Sequence, residues 1–152
     1  MSARSAARPV VHVAEPPPGY LGRPPIVVDC SVLSAVLFEE EARDDALRAL
    51  AGKALHAPLL LDSEIVSVAA KKNRAGWPTL VIARALADYL QQEIEFHRPE
   101  VQAQYDLAML YRISTYDAAY LWVAGVLQAP LVTFDSKLAK AARSHLASPG
   151  QA

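Results

Sequence analysis

Short apolar segments alternate with longer amphipathic ones along most of the chain. The short segments are rich in β-branched residues or follow a proline, which favours buried parallel strands; they cover residues 26–28, 59–61, 94–96 and 131–134. Between them, apolar residues recur at helical spacing over residues 32–38, 40–51, 63–74, 79–92, 100–111, 115–127 and 136–146. This alternation predicts an α/β fold in which helices cover both faces of a central parallel sheet.

Proline marks one domain boundary, because six of the eleven prolines lie before residue 26. We expect residues 1–25 to form a Pro-rich, disordered extension, residues 26–147 to form one globular domain, and residues 148–152 to be a short tail. A chain of 152 residues can bury a sizeable core without cross-links. Cys30 is the single cysteine, which excludes a disulfide framework and a Cys-rich zinc site.

No segment has the length of a membrane span. The longest apolar run, residues 118–127, is about half of what a transmembrane helix requires, and the N-terminus is a poor signal peptide. We therefore expect a cytoplasmic protein without membrane contact. The histidines are scattered and lack the short spacing of metal-binding pairs, so we expect structural or surface roles for His12, His56, His97 and His145.

Charge is nearly balanced, with 15 basic and 16 acidic side chains, which excludes a broadly basic nucleic-acid binder. The acids, however, fall at particular places. Asp29 follows the first predicted strand, Asp62 and Glu64 follow the second, and Asp135 follows the last. Asp117 lies in the first turn of a predicted helix. Because the ligand crevice of a parallel sheet lies beyond the carboxyl ends of its strands, we expect these carboxylates at that crevice.

Taken singly, each acid is most simply an N-cap or a first-turn acid that suits the helix dipole. Together they would repel one another by about 4 kcal/mol per pair at about 4 Å and an effective dielectric constant of 20. Hard divalent cations with oxygen ligands, Mg²⁺ or Mn²⁺, are the natural neutralisers of such a cluster. The pattern therefore favours a metal site over four independent caps.

Four motifs occur in order along the chain. They are Val27 to Leu33 around Asp29, Glu64 opening a helix after an apolar strand, Tyr116 to Tyr120 around Asp117, and Leu131 to Asp135. In this order and strand context they resemble a PIN domain, specifically the small VapC-type toxin ribonucleases, from Ile26 to about Leu146.

The resemblance implies a three-layer α/β/α fold with strand order 3-2-1-4-5. Residues 148–152 are too short and polar to supply the fifth strand with certainty, so we expect a sheet of four or five strands. It further implies an Mg²⁺- or Mn²⁺-dependent endoribonuclease whose catalytic and metal-binding residues are Asp29, Glu64, Asp117 and Asp135. Ser31 and Thr133 would orient the carboxylates.

The resemblance also implies partners: an RNA substrate, a second copy of the chain in a homodimer, and a cognate antitoxin. Apolar residues in neighbouring helices suit a protein partner or the core equally well; they are Ile65, Val68, Leu80, Val81 and Ile82. Basic residues at the ends of two helices are candidates for RNA-phosphate contacts or are ordinary solvated faces; they are Lys71, Lys72, Arg74, Lys137, Lys140 and Arg143.

Two other functions remain open at this point. A haloacid-dehalogenase-like phosphatase would use Asp29 as its nucleophile, but such enzymes carry an acid where Ser31 stands, and Glu64 and Asp117 would have no role. Alternatively, the chain is a non-catalytic PIN-like binding module in which the acids only cap helices.

Overall fold

The computed structural model describes residues 22–147. The predicted extension up to residue 21 and the tail 148–152 lie outside the described residues. The strands are β1 (Pro25–Val28), β2 (Ala54–Pro58), β3 (Ile94–His97) and β4 (Leu131–Val132). The helices are α1 (Cys30–Leu37), α2 (Arg43–Leu50), α3 (Leu60–Arg74), α4 (Thr79–Leu90), α5 (Val101–Tyr111), α6 (Thr115–Leu127) and α7 (Ser136–Leu146).

The strands form one parallel sheet in the order β3-β2-β1-β4. Val27 pairs with His56 of β2 and with Leu131 of β4, so β1 occupies the interior of the sheet, and Val27 and Val28 are fully buried. The three-layer α/β/α architecture and the order 3-2-1-4 are confirmed. The fifth strand remains a prediction, because its residues lie outside the described part of the chain.

The second predicted strand, residues 59–61, is wrong. The strand is Ala54–Pro58, and Leu60 and Leu61 begin α3. Leu61, Ile65 and Ala69 are buried at intervals of four residues, so the leucines belong to the inner stripe of a helix. A strand containing His56 and three alanine or proline residues carries little apolar signal, although parallel pairing on both sides buries its second half.

Most other boundaries differ from the prediction by a few residues. Helix α1 starts at Cys30 rather than residue 32, and α2 spans only Arg43–Leu50 of the predicted 40–51. Glu39 adopts a left-handed conformation with φ of 50° between these helices. The last strand stops at Val132, short of the predicted residue 134.

Helix α6 joins the core to the carboxyl edge of the sheet. It packs against β1, β2, α5 and α7, and six of its residues, including Tyr120 and Leu121, are buried. Its first turn carries Asp117.

Among residues 22–147, no helix combines the length and apolar character needed to cross a membrane.

Candidate active site

Asp29 lies where β1 ends and α1 begins. Its residue is 6% exposed, and although it occupies the N-cap position of α1, its side chain caps no backbone N–H. Instead, Oδ2 accepts hydrogen bonds from Ser31 Oγ at 2.7 Å and from Thr133 Oγ1 at 2.8 Å. A buried carboxylate oriented by two hydroxyls, rather than by the helix it precedes, does not fit the capping interpretation.

The same two hydroxyls connect the ends of β1 and β4. Ser31 Oγ accepts from the backbone N–H of Phe134 at 3.1 Å, and Thr133 Oγ1 accepts from the backbone N–H of Asp135 at 2.9 Å. Each hydroxyl therefore donates to Asp29 and accepts from the β4–α7 connection. Asp29 and Asp135 are thereby held at the same edge of the sheet.

Asp135 does cap a helix. Its Oδ1 accepts from the backbone N–H groups of Lys137 at 2.9 Å and Leu138 at 3.0 Å, at the start of α7. The side chain is exposed, so capping engages one oxygen and does not exclude a further ligand at the other. In α6 the cap is Ser114, whose Oγ accepts from the backbone N–H of Asp117 at 3.0 Å.

Glu64 lies in α3, half-buried, and is held from α6. Its Oε1 accepts a hydrogen bond of 2.7 Å from the hydroxyl of Tyr120, a fully buried residue. The sequence motif contained Tyr120 but gave it no role. A tyrosine in a helix that is apolar on almost every side needs a partner for its hydroxyl, and that requirement was the available signal.

The four carboxylates form one electrostatic cluster. Burial raises the pKa of Glu64, the Tyr120 hydrogen bond opposes this, and the charges of Asp29 and Asp117 raise it further. Burial also raises the pKa of Asp117, with added contributions from Asp135 and Asp29, against a hydrogen bond from Ser114 and the charge of Lys137. These charge interactions link the four acids, which come from four separate segments of the chain. Among the described residues, no three of them bring carboxylate oxygens within 4.8 Å of one another.

The cluster suits a hard divalent cation. Its ligand atoms are carboxylate oxygens, the type that Mg²⁺ and Mn²⁺ prefer. Within the described part of the chain, none of the salt bridges includes any of these four acids. A cation bound there would supply positive charge that offsets the mutual repulsion of the carboxylates.

Cys30, next to Asp29, is not an alternative nucleophile. Burial, together with the charges of Glu64 and Asp29, raises the pKa of its thiol to about 12. The thiol is therefore protonated at neutral pH, and only the thiolate is nucleophilic.

The basic residues predicted to contact RNA phosphates differ in exposure and in their existing side-chain contacts. Lys71, Arg74, Lys137, Lys140 and Arg143 are exposed. The half-buried Lys72, by contrast, has its Nζ 3.2 Å from Glu40 Oε1 and above the rings of Phe38 and Trp77, at 5.5 and 4.4 Å from their centroids. Its ammonium already has a carboxylate and two aromatic partners.

Comparison with known proteins places this geometry in a family. The family model of the PIN domain matches residues 26–144, a range that contains all four acids. The chain belongs to the PIN-domain family. It is 32% identical over 119 residues to Ribonuclease VapC3 of Mycobacterium tuberculosis, in both strain CDC 1551 / Oshkosh and strain ATCC 25618 / H37Rv, covering 76% of this chain and 86% of each relative. This PIN domain is therefore of the VapC type.

A solved structure supports the fold independently. The crystal structure of PAE2754 from Pyrobaculum aerophilum superposes with a TM-score of 0.64 at 23% sequence identity, covering 82% of this chain and 88% of that one. At this identity the likeness concerns the fold alone. None of these matches supports the phosphatase alternative, in which Glu64 and Asp117 had no role.

Proposed function

We propose that this chain is a divalent-metal-dependent endoribonuclease that hydrolyses RNA phosphodiester bonds. The observation that carries the proposal is the set of four carboxylates near the carboxyl edge of the sheet. Burial and the charges of neighbouring acids raise the pKa values of Glu64 and Asp117, and no salt bridge among the described residues includes any of the four acids. The curated relatives named as ribonucleases point to the same chemistry.

In this proposal the acids divide the work of holding the cation. Asp29 is the central ligand, Asp117 and Asp135 complete one site, and Glu64 supports a second cation or orients water. When bound, the cation offsets charge on the phosphodiester and makes water more acidic. The hydroxyls of Ser31 and Thr133 hold Asp29 in one orientation through Oδ2, and the Tyr120 hydroxyl does the same for Glu64.

The exposed basic residues at the ends of α3 and along α7 are proposed to hold RNA phosphates. Lys137 is the best supported, since its backbone N–H donates to Asp135 Oδ1 at 2.9 Å and its charge lowers the pKa of Asp117. Phosphate contacts position the strand without reading its sequence. Lys72 is retained as a candidate, with a smaller expected effect because Glu40, Phe38 and Trp77 already engage its ammonium.

The test is cleavage of total RNA and of a fluorescent oligoribonucleotide with Mg²⁺ or Mn²⁺. We expect cleavage that a chelator abolishes, with 5′-phosphate and 3′-hydroxyl ends. Asp29→Asn should remove it, whereas the matched control Asp44→Asn, an exposed acid on α2, should not. Metal-dependent cleavage by folded Asp29→Asn protein at the wild-type rate would contradict the assignment.

Two further experiments separate the remaining alternatives. A beryllofluoride adduct at Asp29 with phosphatase activity would favour the phosphatase. A binding module would show no cleavage, no change in melting temperature with a chelator, and loss of stability when the acids are replaced. The nuclease predicts no such adduct, cleavage, a melting temperature that falls with a chelator, and a gain in stability for Asp117→Asn in the chelator. Asp135 does not distinguish the two, because it caps α7 in either case.

We also propose that the protein is a homodimer and the toxin of a toxin–antitoxin pair. Leu80 and Val81 on α4 are exposed, at 71% and 45%, and are available to a protein partner, whereas Ile65 and Ile82 are buried in the core. Sedimentation of the wild type beside Leu80→Glu tests the dimer. A monomeric wild type would contradict it.

A further inference from the structure

Three potential metal ligands face one another on the two strands farthest from β4. In the parallel register, His56 of β2 pairs with Glu95 of β3, and Pro58 pairs with His97. Residues two apart on a strand point to the same face of a sheet. His56, Glu95 and His97 therefore share one face, although 41 residues separate the two histidines along the chain. None of the three belongs to the four-acid cluster.

The ligand atoms are close enough to surround one ion. His56 Nδ1 lies 2.9 Å from His97 Nε2 and 3.8 Å from Glu95 Oε2, and one ligand atom from each residue lies within 4.8 Å of the others. A tetrahedral zinc ion with Zn–N bonds of about 2.0–2.1 Å holds neighbouring ligand atoms about 3.3 Å apart. The two separations of 2.9 and 3.8 Å lie on either side of that value.

Burial differs among the three residues in a way that suits an open site. The His56 side chain is 11% exposed, His97 is half-buried and the Glu95 side chain is 71% exposed. The two histidines are thus held by the sheet. The exposed Glu95 side chain leaves the site open toward solvent, with room for water as a fourth ligand. The ring planes of the histidines are tilted by 34° with centroids 5.2 Å apart, so the pair is not stacked face to face.

We propose that His56, Glu95 and His97 form a zinc site separate from the four-acid cluster. Two imidazoles and one carboxylate favour Zn²⁺ over Mg²⁺, which prefers oxygen ligands alone. The ion would replace the proton that the two imidazoles otherwise share at 2.9 Å. Within residues 22–147, β3 is an edge strand that pairs with β2 alone. The bound ion would join that edge to the sheet and raise the melting temperature.

The experiment measures zinc binding by the untagged full chain in competition with a zinc-sensitive dye. Excess Mg²⁺ occupies the oxygen ligands of the four-acid cluster, and Co²⁺ in place of Zn²⁺ reports coordination by its visible absorption. We expect one equivalent to bind, with affinity lowered at least about tenfold in His97→Gln and in Glu95→Gln. These two positions are not fully buried, and circular dichroism establishes that both variants fold.

Two control variants make the assignment specific. His145→Gln removes a histidine on α7 that contacts the Tyr111 hydroxyl, and Asp117→Asn changes the four-acid cluster; both should bind zinc as the wild type does. The proposal is overturned if zinc stays with the dye, if His97→Gln binds it unchanged, or if Asp117→Asn abolishes binding. In the first of these outcomes the two histidines form a hydrogen-bonded pair only.

Discussion

Replacing Asp117 with asparagine removes one negative charge from the acidic cluster and keeps the shape of the side chain. Burial and the charges of Asp135 and Asp29 raise the pKa of Asp117, so the carboxylate is less favourable in the folded protein than in the unfolded chain. Two like charges about 4 Å apart repel by ~1 kcal/mol in water and ~4 kcal/mol at an effective dielectric constant of 20. Because Asp117 is half-exposed, we take the lower figure and expect Asp117→Asn to stabilise the metal-free protein by ~1 kcal/mol.

Thermal melts followed by circular dichroism in a chelator at neutral pH measure this effect. For a domain of this size, ~1 kcal/mol corresponds to a rise of about 2–4 °C in the melting temperature. Ser114→Ala is the contrasting control, because it removes the cap of α6 and should cost ~1 kcal/mol. Adding Mn²⁺ should then raise the melting temperature of the wild type more than that of Asp117→Asn, since ligands that bind the folded state stabilise it.

The opposite pattern would refute the reasoning. If Asp117→Asn melts below the wild type in the chelator, and Mn²⁺ shifts both proteins equally, Asp117 is a structural residue of the α6 N-terminus. An acid that destabilises the metal-free fold is not maintained for the stability of that fold.

Three further predictions concern pH, positioning and charge. Glu64 and Asp117 have folded-state pKa values above their ordinary values of 4.5 and 3.8. Their contribution to stability is therefore present at low pH and lost as pH rises through the folded-state pKa values. In a chelator, the stability advantage of Asp117→Asn should grow from about pH 4 to neutrality, and a difference in melting temperature that stays constant with pH would contradict this. Tyr120→Phe removes a hydrogen bond to a carboxylate, of the kind that contributes about 1.5–3 kcal/mol, and should weaken Mn²⁺ binding about tenfold or more by titration; unchanged affinity would show that the hydroxyl only satisfies the core. Lys137→Glu should weaken binding of a non-cleavable RNA and flatten its salt dependence in fluorescence anisotropy, while Arg84→Glu, an exposed residue on α4, should leave both unchanged.

Elements with strong local signals agree best with the sequence prediction. Helices α6 and α7 have the predicted bounds, because each is preceded by a capping side chain, Ser114 and Asp135, that bonds to N–H groups two or three residues ahead. The positions of Asp29 after β1 and Asp135 after β4 were likewise predictable, since parallel strands bring their carboxyl ends to one edge. Glu64, however, lies inside α3 rather than directly after a strand. By contrast, β2 was misplaced because its residues have weak strand propensity and its pairing partners are distant in sequence.

The amino-acid sequence alone thus determined the layered α/β architecture, and it identified the candidate acids and the hydroxyls two residues from Asp29 and Asp135. Tertiary structure alone decided which side chains meet across long separations: Tyr120 with Glu64 over 56 residues, His56 with His97 over 41, and Lys72 with Glu40 over 32. Caps and periodicity depend on neighbours within a few positions of the chain. Contacts between residues that are distant in the sequence depend on strand register and helix packing, which no local pattern specifies.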